Sequence, residues 1–150
     1  RSYQPKHHRL LIFSRDNNVP SIQCSDKLGL IANQAPSLGE ITYFAFGIPS
    51  AEFHDELWGE IQVISKRKIE RKLNTYLHDT HRLPYAKKWD RDDKPNDAPE
   101  DATLPYYIRN SIHHPENRLN DPYTDEELAE STKMLIAVLK ALQSTQVSNP

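Results

Sequence analysis

Tyr106-Tyr107-Ile108-Arg109-Asn110-Ser111-Ile112-His113-His114-Pro115-Glu116-Asn117 is the stretch on which the fold turns. A helix entering it near Thr103, with Pro105 favoured in a first turn, must stop near His114, because Pro115 drives the residue before it out of helical backbone. Residues 115–123 then read as a polar connector. Thr124 and Glu127 make a capping box that opens a last helix. Along that helix Leu128, Thr132, Leu135, Leu139 and Leu142 recur at three- and four-residue spacing, which marks a core face.

Upstream, a further helix is expected from about Ser50 to Leu77. Ser50 is a good N-cap, and Glu52, Asp55 and Glu56 suit the positive end of the dipole. Phe53, Leu57, Ile61 and Ile64 share one face, and Ile69, Leu73 and Tyr76 continue the stripe after a small slip. Residues 78–102 carry Pro84, Pro95, Pro99 and the charge-dense Asp90-Arg-Asp-Asp-Lys94, so they are expected to form a flexible exposed loop. Residues 40–48 fit a strand or the start of a helix equally well. Residues 9–24 read as a β-hairpin, with a turn around Asp16-Asn17-Asn18 between two apolar runs. The expected organisation is a small β-containing segment over 1–48 and a helical domain over 49–145, giving a mainly α fold.

Composition narrows the function classes. The 150 residues have a formal net charge of −2, so no global field draws the chain to nucleic acid or anionic lipid, and any RNA contact must use a local basic patch. Hydrophobic residues make up 37%, and eleven prolines against four glycines favour stiff connectors. The core is expected to be modest, and a second copy of the chain would help to bury it. Cys24 is the single cysteine, which leaves no intrachain disulfide and no paired-cysteine metal motif and suits a reducing cytoplasm. The apolar runs are too short to span a bilayer and no signal peptide is visible, so no membrane partner is expected. Met134 is the only methionine, so the chain is expected to be a processed or trimmed product, or a piece of a longer protein.

Arg109, Asn110 and His114 carry the chemistry that the segment suggests. RNA can be cut without a metal when a 2′-hydroxyl attacks its own phosphate. The step needs a proton acceptor and donor near neutral pH and a cation beside the crowded phosphorane. Histidine supplies the first and arginine the second, and asparagine orients either by hydrogen bonding. Asn110 and His114, four apart, share a helix face, whereas Arg109 and His114, five apart, do not. An unwound last turn before Pro115, or a second copy facing the first, would bring them together. The plainer alternative is a polar helix end, with His114 capping carbonyls and Arg109 paired to an acid. His113 is one residue out of register and stands as a secondary candidate.

Lys66, Arg67, Lys68, Arg71 and Lys72 are candidates for phosphate contact, with a solvated helix face as the alternative. Tyr106 could stack on a base, or simply pack against neighbouring helices. The pairs His7/His8 and His113/His114, with His78 and His81, lack the cysteines or ordered carboxylates of a metal site, so neither metal nor cofactor is expected.

The run Arg109-Asn110-x-x-x-His114, with the helix, polar loop and closing helix around it, resembles the HEPN ribonucleases of toxin–antitoxin, abortive-infection and CRISPR-associated systems. The resemblance implies an antiparallel helical bundle and a metal-independent endoribonuclease, with Arg109, Asn110 and His114 as the catalytic set. It also implies a homodimer whose two motifs face one cleft, RNA as substrate, and an antitoxin as partner. A second resemblance lies in front. The hairpin 9–24, Gly39-Glu-Ile-Thr-Tyr-Phe-Ala-Phe-Gly-Ile48 and Phe53-His-Asp-Glu-Leu-Trp58 look like the closing stretch of a phage-defence ABC-type ATPase head. The glycine-rich phosphate loop is missing from these residues, so the implied ATPase core would lie upstream. In that setting the chain would be a non-catalytic dimerisation or regulatory module.

Overall fold

The computed structural model describes residues 11–16, 19–24, 30–31, 36–94 and 96–147. Strands β1 (Leu11–Asp16) and β2 (Val19–Cys24) form an antiparallel pair with Leu11 opposite Cys24 and Asp16 opposite Val19. This is the expected hairpin, although Arg9, Leu10 and the turn residues Asn17 and Asn18 lie outside the described residues. Residues 40–48, open between strand and helix, fall largely in helix α1 (Leu38–Phe46). Ser37 caps it by accepting from the Glu40 amide at 3.0 Å, and Gly47, at φ +71°, closes it in the left-handed region that glycine adopts without penalty.

The long helix expected over 50–77 is two helices, α2 (Ala51–Ser65) and α3 (Glu70–Asp79). The slip in the apolar stripe marks the break. Lys66 takes φ +56° and turns its amide back to Gln62 and Val63, which ends α2. Phe53, Leu57 and Ile61 could then bury one face of α2 completely, while α3 turns Leu73 and Leu77 into the same core.

Residues 78–102 depart furthest from expectation. Only part of the range is a loop: β3 (Tyr85–Trp89) and β4 (Glu100–Thr103) pair antiparallel, with Tyr85 opposite Thr103, Trp89 opposite Glu100, and an irregularity between Tyr85 and Lys87. Residues 90–94 and 96–99 between them are the irregular, mostly exposed connection that was expected. The charge-dense stretch 90–94 lies outside the ladder, and the strand residues escaped notice because their own charges have partners. Lys88 meets Asp101 at 2.5 Å, and Glu100 accepts from Arg71. Trp89 and Ala102 anchor the hairpin in the core, Trp89 edge-on to Tyr107 at 5.5 Å.

Helix α4 (Leu104–His113) starts after Thr103 with Pro105 in its first turn. Helix α5 (Asp125–Val147) opens on the expected capping box, the Thr124 amide donating to Glu127 at 3.0 Å and the Glu127 amide to Thr124 Oγ1 at 3.2 Å. Leu135, Ile136, Val138 and Leu139 of α5 pack with the α2 residues in the main core, and Leu104, Ile108 and Leu128 make a smaller cluster beside it. The chain is thus mainly helical, with two small antiparallel hairpins among the described residues. No helix among those residues is long and apolar enough to cross a membrane.

Candidate active site

The start of α3, the end of β3 and the last turn of α4 enclose a cleft of about 590 Å³ lined by Glu70, Arg71, Arg91, Arg109, Asn110 and His114, among others. Its back is fixed by Asn74 of α3, whose amide donates to the Asp101 carbonyl at 2.8 Å and accepts from the Thr103 amide at 3.0 Å. Thr103 is the N-cap of α4 and offers no side-chain cap of its own, so Asn74 ties down the backbone from which α4 sets out.

Arg109 projects from α4 with only 17% of its side chain exposed. Nη2 donates to Glu70 Oε1 at 3.0 Å and Nη1 to Asn110 Oδ1 at 3.4 Å, while buried Nε has no partner among the described residues. Five helical positions would have turned His114 away. Instead α4 ends at His113, and His114 takes the non-helical angles φ −126° and ψ 59°, its amide still donating to the Asn110 carbonyl at 2.8 Å. The unwinding that Pro115 enforces brings the imidazole into the cleft that Arg109 lines. The ring is half exposed, with Nδ1 3.4 Å from Glu116 Oε1 and its centroid 6.4 Å from Trp89.

The cleft is charge-balanced rather than basic. Arg71 makes a two-pronged contact with Glu100, and Arg91 holds Asp93 through two hydrogen bonds, the shorter of them 2.6 Å. Burial raises the Glu100 carboxyl, but the Arg71 hydrogen bonds, with Tyr106 and Arg91, outweigh it and hold the group below the ordinary carboxylate range. Glu100 is therefore a fixed anion and not a proton donor. An imidazole, a held guanidinium and an amide around one cleft suit general acid–base work beside a phosphate.

The other sequence candidates are dispersed. His113 points to α2, Nε2 lying 2.6 Å from Asp55 Oδ1, and does not line the cleft. Of the basic run only Arg71 lines it. Lys66 and Lys68 flank a separate groove with Gly59 and Val63, the Arg67 guanidinium covers the Tyr76 ring at 3.6 Å, and Lys72 is exposed on α3. The break at Lys66 scatters a run that a continuous helix would have kept on one surface. Tyr106 is 4% exposed and packed 6.2 Å from Trp58. That packing favours the plainer alternative, a ring set against the core at the wall of the cleft, and the hydroxyl donates to Glu100 at 3.1 Å. His78 stacks on Tyr85 at 3.9 Å and His81 meets Tyr76 edge-on, while His7 and His8 lie outside the described residues. Among the described residues no group of three or more His, Cys, Asp or Glu could hold a metal ion.

Sequence inspection passed over Glu70, Trp89 and the connector asparagines. Glu70 was visible as the one acid within the basic run, and Asn117 and Asn120 as amides in a short polar connector. Asn117 Nδ2 and Asn120 Nδ2 both donate to the Asp90 carbonyl at 2.8 Å, and Asn120 Oδ1 accepts from the Asp90 amide at 2.8 Å. These bonds fasten the connector to the end of β3. Compared with protein-family models, with curated proteins and with solved structures, the chain matches none.

Proposed function

We propose that this chain is a HEPN-like, metal-independent endoribonuclease that leaves 2′,3′-cyclic phosphate ends. The observation that carries the proposal is that Arg109, Asn110 and His114 line one cleft. The 2′-hydroxyl attacks the adjacent phosphorus as its proton passes to an imidazole, the P–O5′ bond breaks, and a protonated imidazole returns a proton to the 5′-oxygen. His114 is the imidazole. Its Nε2 has no protein partner among the described residues, which leaves that nitrogen open to a substrate. Arg109 faces the charge that develops on the non-bridging oxygens, and Asn110 steadies its guanidinium.

A single His114 cannot be acid and base to the same substrate at once. A homodimer that places two clefts across a twofold axis supplies the second imidazole, and the strand is then held between two copies. A bacterial defence or toxin–antitoxin setting, with an antitoxin or an upstream ATPase domain as partner, fits such an activity. The Arg109–Glu70 pair favours one other reading, a non-catalytic dimerisation or regulatory module of an ATPase, since a neutralised guanidinium also serves as a structural tie.

Incubation of RNA in EDTA with the wild type, Arg109→Ala and His114→Ala separates the two. Cleavage by the wild type alone, with cyclic phosphate ends, supports the enzyme. Equal inertness of all three, or equal cleavage by all three, defeats it. A strictly monomeric wild type that still cleaves removes the composite site.

A further inference from the structure

A second cleft of about 420 Å³ lies against the first, and Trp89, His114 and Asn117 form the wall that the two share. An endonuclease differs from an enzyme acting on a free nucleotide in one geometric respect: its strand must continue on both sides of the scissile phosphate. The candidate cleft alone gives the strand one side of His114. The second cleft gives it the other.

The charges of the two clefts are used differently. Four arginines line them, and the three in the first cleft are all ion-paired, Arg71 to Glu100, Arg91 to Asp93 and Arg109 to Glu70. Arg118, in the second, is exposed and has no ion pair or hydrogen bond among the described residues. It is not loosely carried. Asn117 and Asn120 fasten the backbone on either side of it to the Asp90 carbonyl, and the Tyr107 hydroxyl donates to the Asp121 carbonyl at 2.6 Å just beyond. The second cleft has one acid, Asp121, and it forms no ion pair with Arg118. An uncommitted guanidinium on a loop whose backbone is clamped, next to the proposed general acid/base, is available to a phosphate oxygen.

We infer that the second cleft holds the neighbouring nucleotide of a single-stranded RNA and that Arg118 is its phosphate contact. The inference rests on the proposed cleavage at His114, and it turns that site from a pocket into a track. Arg118 is thus a binding residue for the strand beyond the scissile bond, not a catalytic one.

Binding and cleavage are measured separately. In a His114→Ala background, affinity for a labelled RNA oligonucleotide of about a dozen residues is followed against salt. Adding Arg118→Ala is expected to weaken binding about fivefold at moderate salt and to reduce the slope of log Kd on log salt by about one contact. Arg118→Lys keeps the charge and is expected to restore most of the slope, which a folding defect would not do. On the otherwise wild-type protein, Arg118→Ala is expected to raise KM for the oligonucleotide several-fold more than KM for a dinucleotide, which has no next phosphate. Unchanged affinity and slope, or no binding of RNA at all, overturns the inference. RNA that binds with the expected Arg118 dependence but is never cut overturns the proposed activity and leaves the track standing.

Discussion

The Arg109 guanidinium donates to Glu70 across the cleft at 3.0 Å, so the proposed transition-state cation reaches its place through a carboxylate on another helix. The pair cuts both ways. Glu70 holds the guanidinium in position, and it also competes with any phosphate for the same donors. Glu70→Gln keeps an oxygen to accept from Nη2 while removing the competing charge. It is expected to lower KM for RNA about threefold, on the order of the 1 kcal/mol that part-exposed pairs carry. Glu70→Ala, which leaves Arg109 unheld, is expected to lower kcat instead. Steady-state kinetics on the two variants checks this, and a raised KM in Glu70→Gln would show that the carboxylate acts only as a brace.

Gly39 reports on how α1 meets α2. A Cβ placed there would stand 2.8 Å from the Phe53 Cβ and 3.2 Å from Ser50 Oγ, the hydroxyl that caps α2. Neither neighbour can yield easily, because Phe53 is fully buried and Ser50 is committed to the Phe53 amide. Gly39→Ala is therefore expected to destabilise the fold by ~1–3 kcal/mol, a typical cost of overpacking. Denaturant titration measures it, and an unchanged midpoint would mean that α1 rides away from α2 without loss.

Local signals explain what was legible beforehand. Pro115 stopped α4, the Thr124–Glu127 box opened α5, and the apolar stripe of α5 showed its buried face, because each rests on residues within a few positions of one another. The same locality explains why Arg109, Asn110 and His114, singled out within six positions, line one cleft. What escaped depends on distant partners. The ladder from Tyr85 to Thr103 is stabilised by Trp89 in the core and by Arg71 and Lys88 pairing with Glu100 and Asp101, none of which is visible in a charge-rich, proline-containing stretch. Glu70 joins Arg109 across 39 residues, and Asn117 and Asn120 reach back to Asp90. The break at Lys66 stands between these classes: a slip in the stripe signalled it, but lysine in left-handed backbone is not a residue that predicts a helix end.

His54 is fully buried, with Nε2 2.8 Å from Ser131 Oγ between α2 and α5. Burial pushes its pKa down from 6.5 to about 4, with the Asp55 charge opposing. Between those two values the unfolded chain binds the proton and the native chain does not, so stability falls as pH drops through the window. The contribution is fully present above 6.5, and its loss is complete near pH 4, amounting to at most about 3 kcal/mol. Glu40 works in the opposite sense. Burial raises its carboxyl, with the Leu30 amide opposing and Glu56 adding to the rise, so its protonation favours the native state as pH falls. The difference between wild type and His54→Gln isolates the histidine. The wild type is expected to lose stability more steeply than the variant on acidification from pH 6.5 towards 4, and parallel profiles would show that His54 stays solvated enough to titrate normally.

Asn74 joins stability to the site. Its amide spends one donor on the Asp101 carbonyl and its oxygen on the Thr103 amide, and Thr103 begins the helix that carries Arg109 and Asn110. Asn74→Ala leaves a buried amide and a carbonyl without partners, at an expected cost of ~2–3 kcal/mol. Asn74→Asp retains the acceptor but loses the donor and buries a charge, so it is expected to be no better. If Asn74 also aims α4, the alanine variant is expected to lose kcat beyond its loss of folded protein, because small displacements of a catalytic group cost rate steeply. Activity normalised to the folded fraction, read below the onset of unfolding, makes the distinction. Normal kcat in a destabilised Asn74→Ala would mean that the packing of Ile108, Leu104 and Leu128 alone holds the helix on course.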